Sequence, residues 1–214
     1  FLRQEDRVMW DRIKEVSRKE IWSLKSRERE GLINHIKDRL SVASTRMMDN
    51  PGQMLEISTA LNKDALTIGF ARRFATYKRA HLLFRDLDRL SRIVNDPEKP
   101  VQFVFAGKAH PRDIPGQDLI KMIVEISKRP EFIGKIVFLQ NYDILLAKRL
   151  VHGVDIWLNT PTRPLEASGT SGEKAVMNGT MHFSVLDGWW AEGYRKDAGW
   201  MLPIERSFDN QELQ

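Results

Sequence analysis

Three short stretches of this chain carry side chains that can hold anions, sugars or an aldehyde. The first is Gly69-Phe70-Ala71-Arg72-Arg73-Phe74-Ala75-Thr76-Tyr77-Lys78-Arg79, where Arg72, Arg73 and Lys78 fall within seven residues. A strand-like run precedes it and a helical pattern follows, so the cations stand where backbone N–H groups and the helix dipole already favour an anion. Arginine grips a phosphate through two parallel hydrogen bonds and lysine adds a compact charge. The competing reading is a solvated basic helix start. The second stretch is Asn141-Tyr142-Asp143. Its tyrosine either lines a ligand pocket or packs half-buried against the core. The third runs from Pro164 to Lys174. Glu166 offers a carboxylate, and the small residues Ser168, Gly169, Thr170 and Ser171 let a ligand approach free N–H groups. Lys174 brings an amine to the start of the next helix. No Gly-Lys-Ser/Thr triplet is present, so this is not a Walker loop. The histidines, His35, His81, His110, His152 and His182, lack metal-ligand spacing, and no metal is expected. Trp189, Trp190 and Trp200 either cap a core or stack on sugar rings.

The surrounding pattern says what must position these loops. Strand-like runs are expected over 65–70, 101–107, 135–139, 155–158 and 181–186, and helices over 77–94, 117–128, 142–151 and 173–177. Apolar strands alternating with amphipathic helices predict a parallel sheet covered on both faces: an α/β, Rossmann-like doubly wound domain. Each of the three loops follows a strand, where such folds bind ligands. Residues 61–214 are assigned to this domain. Residues 1–60 read as a helical linker or extension, with Ile21, Leu24, Glu28, Leu32, Ile33, Ile36 and Leu40 along one stripe and Asn50-Pro51-Gly52 ending it.

Composition narrows the classes. The absence of cysteine excludes disulfides and thiolate metal sites and makes a reducing cytoplasm the expectation. No apolar run approaches the roughly 20 residues of a membrane span, so no membrane partner is expected. The net charge of +5 is spread among interleaved acids and bases, which argues against nucleic acid. The chain opens on Phe1 and ends in a polar stretch after Arg206, and it reads as part of a longer polypeptide.

A family resemblance joins the loops. Glu166-Ala167-Ser168-Gly169-Thr170, with Lys174 four residues later and Met177-Asn178-Gly179 beyond, resembles the pyridoxal-phosphate loop of α-glucan (glycogen, starch and maltodextrin) phosphorylases. Leu186-Asp187-Gly188 is similar to the segment that follows it, and Arg72-Arg73 with Tyr77-Lys78-Arg79 to the family's phosphate-contact motif. Ala106-Gly107-Lys108-Ala109 and Asn141-Tyr142 fall in the expected order. The resemblance covers residues from about 65 to 190. It implies the C-terminal, cofactor-binding domain of a GT-B glycosyltransferase whose N-terminal domain is absent from this chain. The implied reaction is phosphorolysis of α-1,4-glucans to α-glucose 1-phosphate, with pyridoxal 5′-phosphate as a phosphate-relay cofactor. The resemblance further implies that Lys174 forms the Schiff base. Arg73 and Lys78 hold phosphates with Arg72 beside them, and Tyr142, Thr170 and Ser171 lie near the cofactor. Glu166, Ser168 and Gly169 bind glucose hydroxyls. The implied partners are glucan, inorganic phosphate and glucose 1-phosphate, and any homo-oligomer forms through the full-length chain. The fragment alone is expected to be inactive.

Two departures stand out. Ser171-Gly172-Glu173 replaces the usual Gly-Asn-Met and sets a carboxylate beside the implied phosphate site. Trp189-Trp190 replaces small residues, which points to a bacterial or archaeal-like branch. Two alternatives remain from the residues themselves. One is a nucleotide-sugar glycogen or starch synthase-like transferase, against which Lys174 stands where a second glutamate is usual. The other is a non-catalytic sugar-binding module.

Overall fold

The computed structural model of the chain describes residues 7–47 and 51–202. The polar stretch after Arg206 lies outside them, as does Asn50 of the expected Asn-Pro-Gly stop. The helical lead comprises α1 (Arg7–Asp11), a 3-10 turn (Arg12–Glu15), α2 (Arg18–Met47) and α3 (Pro51–Ala60). The α/β part follows as β1 (Leu66–Ala71), α4 (Leu87–Val94), β2 (Val101–Ala106), α5 (Ile114–Ser127), β3 (Ile136–Leu139), α6 (Ile144–Gly153), β4 (Ile156–Asn159), α7 (Thr170–Met177), β5 (Met181–Val185), α8 (Trp190–Gly193) and β6 (Gly199–Leu202).

The six strands pair in the order β3-β2-β1-β4-β5-β6, every neighbour parallel. This is the doubly wound α/β arrangement expected from the alternation of strands and helices. Residues along a strand point alternately to opposite faces. In β2, Phe103 and Phe105 enter a core with Phe70, Phe74, Phe84, Ile123 and Phe132, while Val104 and Ala106 enter a second core with Val137, Leu146, Leu150 and Trp157. Both faces are covered, which is why the β2 run is continuously apolar rather than alternating. Aspartates set the helix starts: Asp86, Asp113 and Asp143 accept the N–H groups of Arg89, Gly116 and Leu146.

The helical lead belongs to the second core. Ser17 and Glu20 form a reciprocal cap at the start of α2. Leu32, Ile33 and Ile36 are then fully buried against Leu61, Leu146 and Leu150. Ile21 and Leu24, expected on the same stripe, remain exposed. Arg29 closes the contact: it donates to the Asp155 carboxylate at 2.7 Å and to the Lys63 carbonyl at 2.7 Å, while Asp155 also accepts the Thr67 N–H.

Two expectations need correction. The helix expected over 77–94 is three pieces: 3-10 turns at Thr76–Lys78 and Ala80–Phe84, then α4. Arg79 adopts a left-handed φ of 50° between the turns, which no continuing helix allows, and Asp86 starts α4 afresh. The edge strand β6 and the short α8 were not expected. β6 carries half-exposed Trp200 and Met201 and so lacks a buried apolar run. Among the described residues no helix is long and apolar enough to cross a membrane.

Candidate active site

The strand order reverses between β1 and β4, and the candidate site is built on the loops leaving their carboxyl ends. The β1 loop supplies Arg72 and Lys78, and the β4 loop supplies Glu166. The Lys78 ammonium donates to both Glu166 carboxylate oxygens, at 2.7 and 2.6 Å. The Arg72 guanidinium donates to Glu166 at 3.3 Å, to Ser171 Oγ at 3.2 Å and to the Asn159 side-chain oxygen. Asn159 in turn donates to Ser184 Oγ at 3.0 Å. One network therefore joins the ends of β1, β4 and β5 and the first turn of α7.

The chain brings the two loops together by specific means. Gly107, just past β2, packs beneath the Arg72 carbonyl and the Phe74 ring, where a Cβ would collide with both. The Phe74 N–H donates to the Lys108 carbonyl. Arg79 turns away from the anion site altogether. Its guanidinium donates to the carbonyls of Thr160 and Pro161, both at 2.9 Å, while Thr162 N–H donates to the Tyr77 carbonyl at 2.7 Å. Arg79 is a strut between the loops.

Arg72, Lys78 and Glu166 are each 7% exposed. Two buried cations face one carboxylate, so the network retains positive charge for a further anion. Burial works against the Arg72 charge and lowers its pKa; the Glu166 carboxylate opposes this, followed by Tyr77 and Tyr142. Tyr142 is half-buried against the α2 side of the core. Burial raises its pKa and the charge of Arg72 pulls it back, so its hydroxyl stands within the electrostatic reach of the site. Its loop is held by α2: Arg39 donates to the Gln140 and Asn141 carbonyls and pairs with Asp143 at 3.0 Å.

The other expected site residues lie at the rim. Arg73 is exposed and makes no side-chain hydrogen bond or ion pair among the described residues. Ser168 is exposed and donates to Glu173 at 3.4 Å, which draws that carboxylate toward the loop. Gly169, at φ 83°, makes the turn into α7. Thr170 is exposed, and the exposed Lys174 ammonium reaches its Oγ1 at 3.4 Å. Residues three and four apart share a helix face. Thr170, Ser171 and Lys174 therefore lie together, with Ser171 tied inward to Arg72. The structure brings Arg72, Lys78, Glu166 and Ser171 into one bonded network and leaves Arg73 and Lys174 exposed outside it. Sequence reasoning missed Asn159, whose signal is its place at the carboxyl end of a buried strand.

The family model described as carbohydrate phosphorylase matches residues 19–194. The chain is 50% identical over 192 residues to a glycogen phosphorylase of Aquifex aeolicus, covering 90% of this chain and 28% of that protein. It is 45% identical over 197 residues to a maltodextrin phosphorylase of Thermococcus litoralis, covering 92% of this chain and 23% of that protein. Identity to the liver form of human glycogen phosphorylase is 28% over 143 residues, 62% of this chain and 17% of that protein. The chain thus spans about a quarter of the length of these two bacterial and archaeal relatives.

Proposed function

The chain belongs to the carbohydrate phosphorylase family, and on that premise we propose that the whole protein cleaves α-1,4-glucans with inorganic phosphate to release α-glucose 1-phosphate. The observation that carries this reading is the buried Arg72–Lys78–Glu166 network where the β1 and β4 loops meet. It sets anion-holding cations beside a carboxylate that can accept sugar hydroxyls. In this proposal Lys78 and Arg73 hold the substrate phosphate, and Arg72 fixes Glu166 and Ser171. Glu166, with Ser168 and the backbone at Gly169, holds the terminal glucose. The phosphate gives a proton to the departing glycosidic oxygen, and a phosphate oxygen then bonds to the anomeric carbon on the same face, so the α configuration is kept. The transition state is oxocarbenium-like, as in other glycosyl transfers, and fixed cations offset the negative charge gathered there.

Pyridoxal phosphate fits the donor set. Lys174 offers an amine whose only hydrogen bond among the described residues is a long one to Thr170, and the Arg72 Nε is buried without a partner. Lys174 would hold the aldehyde, with Arg72, Arg73, Tyr142, Thr170 and Ser171 around the group. When bound, the cofactor's phosphate supplies a proton-exchanging anion next to the substrate phosphate. A cytoplasmic setting belongs to the same proposal.

The test is twofold. The full-length protein releases glucose 1-phosphate from maltodextrin and inorganic phosphate, whereas the isolated 214-residue chain, lacking the facing GT-B domain, releases almost none. Borohydride treatment with pyridoxal phosphate labels the peptide containing Lys174 and no other lysine. Labelling elsewhere, or uridine- or adenosine-diphosphate-glucose as the required donor, would refute the reading.

A further inference from the structure

The segment Asp187-Gly188-Trp189, leaving the carboxyl end of β5, has no part in the chemistry above, yet it grips the loop that carries Glu166. The Asp187 carboxylate accepts the Glu166 backbone N–H at 2.9 Å. The Trp189 N–H donates to the Ser168 carbonyl at 2.8 Å. Between them Gly188, at φ 55°, passes so close that a Cβ would collide with the Ser168 carbonyl. The gripped stretch, residues 160–169, has no helix or strand of its own. Its position therefore depends on such long-range bonds.

We propose that Asp187 is a positioning residue for Glu166: by holding its backbone N–H, Asp187 sets where the carboxylate stands and so how tightly the site holds the sugar. This rests on the phosphorolysis reading. The carboxylate of Glu166 is tethered from one side by Lys78 and Arg72, but the shorter of these bonds comes from Lys78, which is assigned to phosphate. When a phosphate draws on Lys78, the backbone hold from Asp187 keeps the carboxylate aimed. Asp187 supplies a charge-assisted acceptor for that N–H, and sugar recognition requires the accepting oxygens to be placed within about 0.5 Å.

The experiment uses the full-length protein and the variants Asp187→Ala, Asp187→Asn and Gly188→Ala. Measured are the inhibition constant of glucose, the KM of inorganic phosphate, kcat, the cofactor content and the amide exchange of the peptide containing Glu166. Loss of a hydrogen bond to a charged group corresponds to about tenfold in binding. Asp187→Ala is expected to weaken glucose about tenfold and to speed exchange at Glu166, with the phosphate KM and cofactor content within about twofold of wild type. Asp187→Asn, which keeps an acceptor at the same place, returns glucose binding to within about threefold. If Asp187→Ala does not fold, Gly188→Ala, which displaces the Ser168 carbonyl, is expected to show the same split. Glucose binding unchanged in Asp187→Ala, or glucose and phosphate weakened alike, overturns the proposal. Failure of the wild type itself to carry out phosphorolysis overturns the functional reading instead, and is seen without any variant.

Discussion

Removing the charge of Glu166 while keeping its shape tests the physical basis of the site. In Glu166→Gln the Lys78 ammonium and the Arg72 guanidinium stay buried, each 7% exposed, with no carboxylate between them. Breaking a buried ion pair from one side costs about 3–5 kcal/mol. For a chain of this size each kcal/mol lowers Tm by roughly 2–4 °C, so a fall of about 6–20 °C is expected. The cost has an electrostatic origin, so an anion should restore part of it. Phosphate at about 100 times its Kd adds about 2.7 kcal/mol. It should raise Tm more in the variant than in the wild type, where Glu166 competes for Lys78. Calorimetry of both proteins, in phosphate and in an uncharged-buffer control, measures this. If Glu166→Gln melts within 2 °C of the wild type, or if phosphate raises the two equally, then Glu166 does not balance these cations and the argument fails.

Two further perturbations probe how the site is supported. Asp155→Ala leaves Arg29 buried without its carboxylate and should cost about 3–5 kcal/mol in urea unfolding, whereas the double change Arg29→Met with Asp155→Asn, which keeps an acceptor for the Thr67 N–H, should cost much less; equal losses would show that the charge of Arg29 is not what makes Asp155 matter. His182 lies fully buried between Trp189 and Trp190, and burial, then the charge of Arg72, lowers its pKa to about 4 against an opposing Trp157 carbonyl. Its folded pKa lies below the unfolded value, so the unfolded state binds the extra proton and stability falls as pH drops from about 6.5 to 4, by about 3 kcal/mol in all. His182→Gln should flatten that window, and an unchanged pH profile would place the acid sensitivity elsewhere.

The sequence alone determined the class of the fold and the kinds of groups at the site. The apolar periods of β1 to β5 and the turn residues between them are local properties, and local periodicity is enough to predict a parallel, doubly wound sheet. Arg72, Lys78, Glu166 and Lys174 were singled out by their place after strand-like runs together with the family resemblance, and their spacing alone left a solvated basic face open. Tertiary structure decided which of them meet. Arg79 is the neighbour of Lys78 in sequence, but at its left-handed φ it donates to two carbonyls of the β4 loop. Asn159 and Asp187 sit 87 and 21 residues from the groups they hold, Arg72 and Glu166. The α2 stripe ran evenly through Ile21 and Leu24 in sequence, yet of its apolar residues Leu32, Ile33 and Ile36 are the ones buried, beside Leu146 and Leu150 of α6. Such pairings depend on strand order and loop closure, which bring distant residues within hydrogen-bond reach, and no local pattern encodes that distance.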